Sequence, residues 1–392
     1  MEFKFTKEEE DIKKAAGDFA LKGLAPHEIE KKDYLPMDVV NTMGELGFLG
    51  LKLPEQHGGV PASWVEVGLV AEAIAQGNIS MAFLVMLSCQ LTLILSTYGS
   101  VKAKQDWLLG ISEGRNLGGV HLIEPENVSE SATVSGCLSQ DPGYYELSGE
   151  KCLVILGAQA EFAIVFAKID HEGKGEGITA FLAPLDLPGI FKSPVKNMGL
   201  LPLSFAELRF DRVKIPVEYR LGQEGDGIEI SARLGLSSDT FRILSGLIPL
   251  GVARQAVSHA ISYAKKRMAF GRVIAKFQEI SRKIAEGDTL IEMGRSLCYR
   301  ALSLKDQGVS VAREAAMCSW WCPKSAYQVI EDALLIFGHA GYSDEHPFQQ
   351  MLRDVIAFEL IGGSEDMMKL VIARKTVGKV VIPDSIACEE IY

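Results

Sequence analysis

Asp239 and Arg242, three residues apart in the run DTFR, would share one helical face, where a carboxylate and a guanidinium can pair as a surface ion pair or hold a polar ligand. Arg267, in RMAFG, is a second guanidinium suited to an anion, although an arginine met alone is usually just solvated. Three acids capable of proton transfer, Glu359, Glu365 and Asp366, stand close together late in the chain. His121 reads as a packed strand residue rather than a catalyst. The seven cysteines are scattered, and the one close pair, Cys318 and Cys322, has no second pair or histidine at metal-ligand spacing. All are expected to be core thiols. The stretch HEGKGEG (171–177) has the glycines of a phosphate loop but precedes no helix, so it is expected to be a polar hairpin turn.

These groups need a frame. The chain has 392 residues, 47% of them hydrophobic, which is more than one core absorbs, so two or three domains are expected. A net charge of -11 argues against affinity gained by neutralising nucleic-acid phosphates. The start, MEFKFTKEEEDIKK, is charged where a secretory signal is apolar, and a cytoplasmic protein is expected. The most apolar run, 81–95, is too short for a membrane span and carries Ser88, Gln90 and Thr92, so it should be a buried helix.

Apolar residues at three-and-four spacing from Thr6 onward predict an all-α domain over 1–117. Residues 46–59, LGFLGLKLPEQHGG, interrupt it as a loop, and helices resume at about Ser63. Over 118–227 the period falls to two, with strands predicted at 162–169, 177–185 and 206–215. Helical spacing returns over 228–392, with Val252, Ala253, Ala256, Val257, Ala260, Ile261 and Ala264 on one face, and predicts a four-helix bundle. Pro249 should bend its helix or lie near a turn. The fold class is α+β: an N-terminal all-α domain, a central β-domain and a C-terminal four-helix bundle.

In that frame the chain resembles the acyl-CoA dehydrogenase family over nearly its whole length. The resemblance rests on an ordered set: LGFLGLKLPEQHGG, then MGLLPLSFAELRFDRVKIP (198–216), LGQEGDG (221–227), DTFR, RMAFG, Phe277 with Gln278, Gly341 with Tyr342, and Arg353 with Asp354. It implies FAD held between the β-domain and the bundle, which needs no Rossmann glycine pattern. It also implies that Arg267, Phe270, Phe277 and Gln278 meet the FAD of a neighbouring subunit in a homo-oligomer, a tetramer or a dimer. By the same resemblance, Asp239 and Arg242 contact the pantetheine arm of coenzyme A. Leu122, Ile123, Ser129, Leu153, Ile155, Ser364 and Asp366 fall at cofactor positions, Ser129 also at a substrate position.

Desaturating a thioester requires a carboxylate to take the α-proton while hydride leaves the β-carbon, and requires donors for the charge that grows on the thioester oxygen. The family's glutamate position is occupied here by Gly362, in IGGSEDM (361–367), and its alternative, on the helix before the DxxR arginine, by Phe241. Both usual bases are therefore absent. The backbone N–H of Gly362 remains as an oxyanion donor. Glu359, Glu365 and Asp366 are the remaining acids near the motif, while Asp239 points about 200° around its helix from Phe241. Further departures follow. LIEPENVSE (122–130) keeps Glu124, Pro125 and Ser129 but has Ile123 for threonine, GEKCLVILG (149–157) offers Leu153, Val154 and Ile155 for Trp-Ile-Thr, and Leu335 and His339 replace a glutamine and a glycine.

The function expected is that of a FAD-dependent oxidoreductase acting on an acyl thioester, bound to coenzyme A or to an acyl carrier protein, with an atypical or missing base. The resemblance implies an electron-transferring flavoprotein as acceptor. Base-free elimination from a thioester, or a flavin-free thioester-binding or assembly subunit, are the alternatives.

Overall fold

The computed structural model describes residues 5–24, 29–59, 61–121, 135–138, 141–171, 175–235 and 237–378. Helix α1 (Lys7–Gly23) begins at a capping box in which Thr6 accepts the Glu9 N–H and Glu9 reaches back to the Thr6 N–H. After α2 (Met37–Glu45) the glycine-rich stretch forms turns and a single 3-10 turn (Glu55–His57) ending at Gly58, whose φ of 84° favours glycine. A second capping box, Ser63 with Glu66, starts α3 (Trp64–Ala75), and Asn78 caps α4 (Ile79–Tyr98). Helix α4 is long and apolar enough to cross a bilayer, yet 89% of its most apolar window is buried inside the protein, the core helix expected.

The central sheet runs β6 (Ile190–Pro194), β7 (Ala206–Pro216), β3 (Tyr144–Ile155), β1 (Gly118–His121), β4 (Phe162–His171), β5 (Gly175–Pro184) and β8 (Arg220–Leu221), with β2 (Ser135–Leu138) pairing β3 and β4. Strands β4 and β5 pair antiparallel from Phe162–Pro184 to His171–Gly175, the hairpin anticipated around 171–177; its tip, 172–174, lies outside the described residues. Strand β7 alternates buried Ala206, Leu208 and Phe210 with exposed neighbours, as a sheet wet on one face requires.

Beyond α5 (Gly227–Leu234), helix α6 (Asp239–Ala264) packs against α3, α4, α7 (Gln278–Asp306) and α8 (Ala312–Phe337), which explains why residues 240–253 are buried on every side. A two-strand hairpin, β9 (Met268–Ala269) with β10 (Arg272–Val273), separates α6 from α7. Helices α9 (Phe348–Val355), α10 (Phe358–Ile361) and α11 (Glu365–Val377) complete the helical domain. Pro249 lies inside α6 with helix on both sides rather than beside a turn, and Pro323 does the same in α8.

Candidate active site

Two motifs far apart in sequence meet where the sheet domain docks on the helices. The Asp354 carboxylate accepts the Leu200 N–H at 2.7 Å, and Arg353 Nη1 donates to the Met198 carbonyl at 3.2 Å. Only glycine fits between them, because a Cβ at Gly199 would lie 2.4 Å from the Arg353 carbonyl oxygen. This clamp fixes α9, and with it the single turn α10 and the loop that follows.

Gly362 caps α10 with φ -82° and ψ 1°, a conformation open to any residue. Its N–H donates to no carbonyl among the described residues, and the residue is buried. Space, rather than backbone, restricts the position: a Cβ there would stand 2.3 Å from Ser319 Oγ on α8 and 3.2 Å from Ser245 Oγ on α6. Both serines are buried. Ser319 donates to the Gly362 carbonyl at 3.5 Å and Ser245 to the Arg242 carbonyl at 2.9 Å. Sequence reasoning missed both, since nothing local marks their convergence on Gly362.

The other acids near the motif differ in their surroundings. Glu365 is paired with Lys324 at 3.1 Å and Lys369 at 2.5 Å, and hydrogen bonds from these lysines hold its carboxyl below the usual range. A carboxyl held ionised in this way is a weaker base than a free one. Asp366 is exposed in the first turn of α11, and the hydroxyl of Ser364, also exposed, accepts the Met367 N–H as the helix cap. Glu359 is half-buried, and desolvation raises its carboxyl against the pull of Lys324. Phe241 has no exposed surface and packs edge to face on Phe83, which packs in turn on Phe358.

Leu153 is 46% exposed at the end of β3, with φ 53°, where the register against β7 shifts between Lys151 and Val154. Val154 and Ile155 are buried. Ile155 therefore corrects the expectation for it: a residue with no exposed surface cannot line an open flavin face. Leu122, Ile123, Glu124, Pro125 and Ser129 lie outside the described residues, as does the side chain of His121. Leu335 and His339 are exposed at the end of α8 and just beyond it.

Arg267 and Gln278 are exposed, and Phe277 is half-buried under the guanidinium of Arg272, 4.2 Å from its ring centroid. Phe270, at the tip of the β9–β10 hairpin, is 96% exposed with φ 48°, its ring 6.3 Å from that of Phe277. Asp239 opens α6 half-buried, and Arg242, one turn on, is buried, so this arginine is not half of a surface ion pair. Cys89, Cys298, Cys318 and Cys322 are core thiols as expected, but Cys137 is exposed on the short strand β2, which corrects the expectation for it. Cys298 on α7 joins the close pair, its Sγ 3.8 Å from that of Cys322, and no group of metal ligands forms among the described residues.

Comparison with known proteins matches residues 6–115 to the N-terminal domain of acyl-CoA dehydrogenase, 120–213 to its middle domain and 236–377 to its C-terminal domain. An acyl-CoA dehydrogenase of Bacillus subtilis (strain 168) is 31% identical over 385 residues, covering 95% of this chain and 99% of the relative. Among solved structures, butyryl-CoA dehydrogenase from Megasphaera elsdenii superposes with a TM-score of 0.88 at 30% identity, over 96% of this chain and all (100%) of that one. The structure described as PigA with FAD and proline does so with a TM-score of 0.86 at 25% identity, over 96% and 99% of the two chains.

Proposed function

This chain belongs to the acyl-CoA dehydrogenase family, and from that premise we propose that it is a FAD-dependent oxidoreductase of an acyl thioester in which Gly362 supplies an oxyanion donor and no carboxylate. The observation that carries this reading is the buried Gly362 N–H without an acceptor among the described residues, in a loop clamped to the sheet domain by Asp354 and Arg353. A donor fixed in a dry site stabilises charge growing on a thioester oxygen more than water would.

The residues present fit a flavin. An aromatic ring held almost wholly in solvent in a left-handed conformation, as Phe270 is, is arranged for a neighbouring planar group to cover it. Arg267, Phe270, Phe277 and Gln278 of one subunit, with Leu153, Ser364 and Asp366 of another, would hold FAD; Leu122, Ile123 and Ser129 complete the proposed set. When bound, the flavin would supply an acceptor for hydride from the β-carbon, and the α-proton would pass to Glu359, the half-buried acid one turn before Gly362 whose carboxyl is raised by desolvation. The chain's own part is to bind the thioester with Asp239 and Arg242, polarise its carbonyl at Gly362, and exclude water with the aromatic packing around Phe241. The thioester is carried by coenzyme A or by an acyl carrier protein, the protein is a cytoplasmic homo-oligomer, and an electron-transferring flavoprotein is the acceptor. Adding substrate thioesters to flavin-loaded protein without oxygen tests this: bleaching of the flavin band is expected, and an unchanged band with every thioester would refute it.

One observation favours a second reading. With Phe241 in the dry core and Gly362 hemmed by serines, neither usual base position can hold a proton acceptor as built, which suits an elimination in which the group departing from the β-carbon carries the α-proton away with it. Mass spectrometry separates the two, since oxidation gives a product two hydrogens lighter than substrate.

A further inference from the structure

The surroundings of Gly362 have a consequence for which base this site can ever hold. Helices α6 and α8 cross there at backbone distance: a Cβ on Gly246 would lie 2.5 Å from the Cys318 carbonyl oxygen, so the two helices are already packed as closely as their backbones allow. Each helix also carries a proline one turn after its serine. Pro249 and Pro323 have no N–H to offer the carbonyls of Ser245 and Ser319, and each ring pushes against that carbonyl. Each helix thus lacks one backbone hydrogen bond where it faces the glycine, and a buried hydroxyl from each occupies the space a side chain at 362 would enter.

We propose that Ser319, backed by Ser245, is the residue that keeps a carboxylate out of the base position, so that a base can return at 362 only when the Ser319 hydroxyl is removed. The backbone of Gly362 is already in an ordinary conformation, and Ser319 Cβ would sit at a comfortable 3.6 Å, so the single obstruction closer than 3 Å is the Ser319 oxygen. The hydroxyl can escape only by rotating about its Cα–Cβ bond, and at 2% exposure Ser319 has no water to turn into. The inference rests on the thioester reading only for what a carboxylate there would do; the steric exclusion stands without it.

The test is a double-mutant cycle on the flavin-loaded protein, followed by an isotope measurement on the same preparations. Gly362→Ala alone should lower Tm by about 3–6 °C, and Ser319→Ala in the same chain should recover at least half of that loss. Equal Tm losses with and without Ser319→Ala would overturn the proposal, because they would show the serine turning aside freely. In deuterated water, Gly362→Glu with Ser319→Ala should exchange the α-hydrogens of a bound acyl-CoA at least tenfold faster than Gly362→Glu alone. Measurable exchange at equal rates in the single and double variants would also overturn it. A clear Tm coupling with no exchange in either variant would uphold the exclusion by Ser319 while refuting the placement of the thioester beside Gly362.

Discussion

Phe241 and Phe83 pack edge to face, ring centroids 6.2 Å apart and planes at 82°, and Phe358 closes on the other side of Phe83 at 5.8 Å. The three rings come from α6, α4 and α10, so one contact joins the N-terminal helices, the bundle and the turn that carries Gly362. A position that would present a catalytic acid to substrate is here part of the core.

Truncating that ring should be costly. Phe241→Ala is expected to lose about 3–5 kcal/mol of stability, the usual effect of emptying an aromatic-sized space in a packed interior, measured by urea titration. Phe241→Glu should fare no better, because an acid in that dry space has no partner and would stay protonated. A stable Phe241→Glu protein that abstracts α-protons would show that substrate does reach this position.

The clamp between domains should make stability depend on pH. Burial pushes the Asp354 carboxyl up to about 6. Burial also raises Glu30 to about 8, with the Asp354 charge adding to the rise and hydrogen bonds from Ser80 opposing it. Asp354 ionises first, and its charge then holds the proton on Glu30. Both folded-state values lie above the ordinary 3.8 and 4.5, so between about pH 4 and 8 the folded chain binds more protons than the unfolded one. Stability must then fall as pH rises through that window. Tm measured from pH 5 to 8 should decline, and Glu30→Gln, which cannot ionise, should flatten the upper half of the slope.

Much of this was legible in the residues, and the reason differs by level. Thr6 with Glu9 and Ser63 with Glu66 write helix starts in a local code, and the alternation over 162–184 writes a hairpin, because each depends on neighbours a few positions away. Gly362 could be found because the motif around it is linear. Ser245 and Ser319 could not: their meeting depends on how closely α6 and α8 approach, which Gly246, beside Ser245 on α6, permits against the Cys318 backbone. Cys298 escaped notice for the same reason, lying in a helix apart from Cys318 and Cys322. The burial of Ile155 turns on the register shift beside Leu153, and a one-residue change of register exchanges faces.

Leu153 offers a simple gain in stability. It holds φ at 53° with nearly half its surface exposed, so it bears the cost of a left-handed conformation and recovers little from burial. Leu153→Asn should stabilise the protein by about 0.5–1 kcal/mol, because asparagine tolerates that region better. Leu153→Ala should not, since alanine keeps the offending Cβ. A thermal melt of the three proteins distinguishes relief of strain from a change in side-chain contacts.

Phe270 gives the clearest separation of assembly from folding. Its ring is 96% exposed, lies edge to face with Phe277 at 6.3 Å, and sits on a hairpin tip. Replacing it with serine removes apolar surface that water already covers, so the fold of a single subunit should lose almost nothing. If a neighbouring subunit and its flavin cover that ring, Phe270→Ser should instead weaken association and lower the flavin retained on purification at least severalfold. Light scattering gives the mass of the assembly and the visible absorbance of the same fractions gives the flavin content. A variant with unchanged mass and unchanged flavin would remove Phe270 from both roles, whereas loss of flavin at unchanged mass would assign the ring to the cofactor alone.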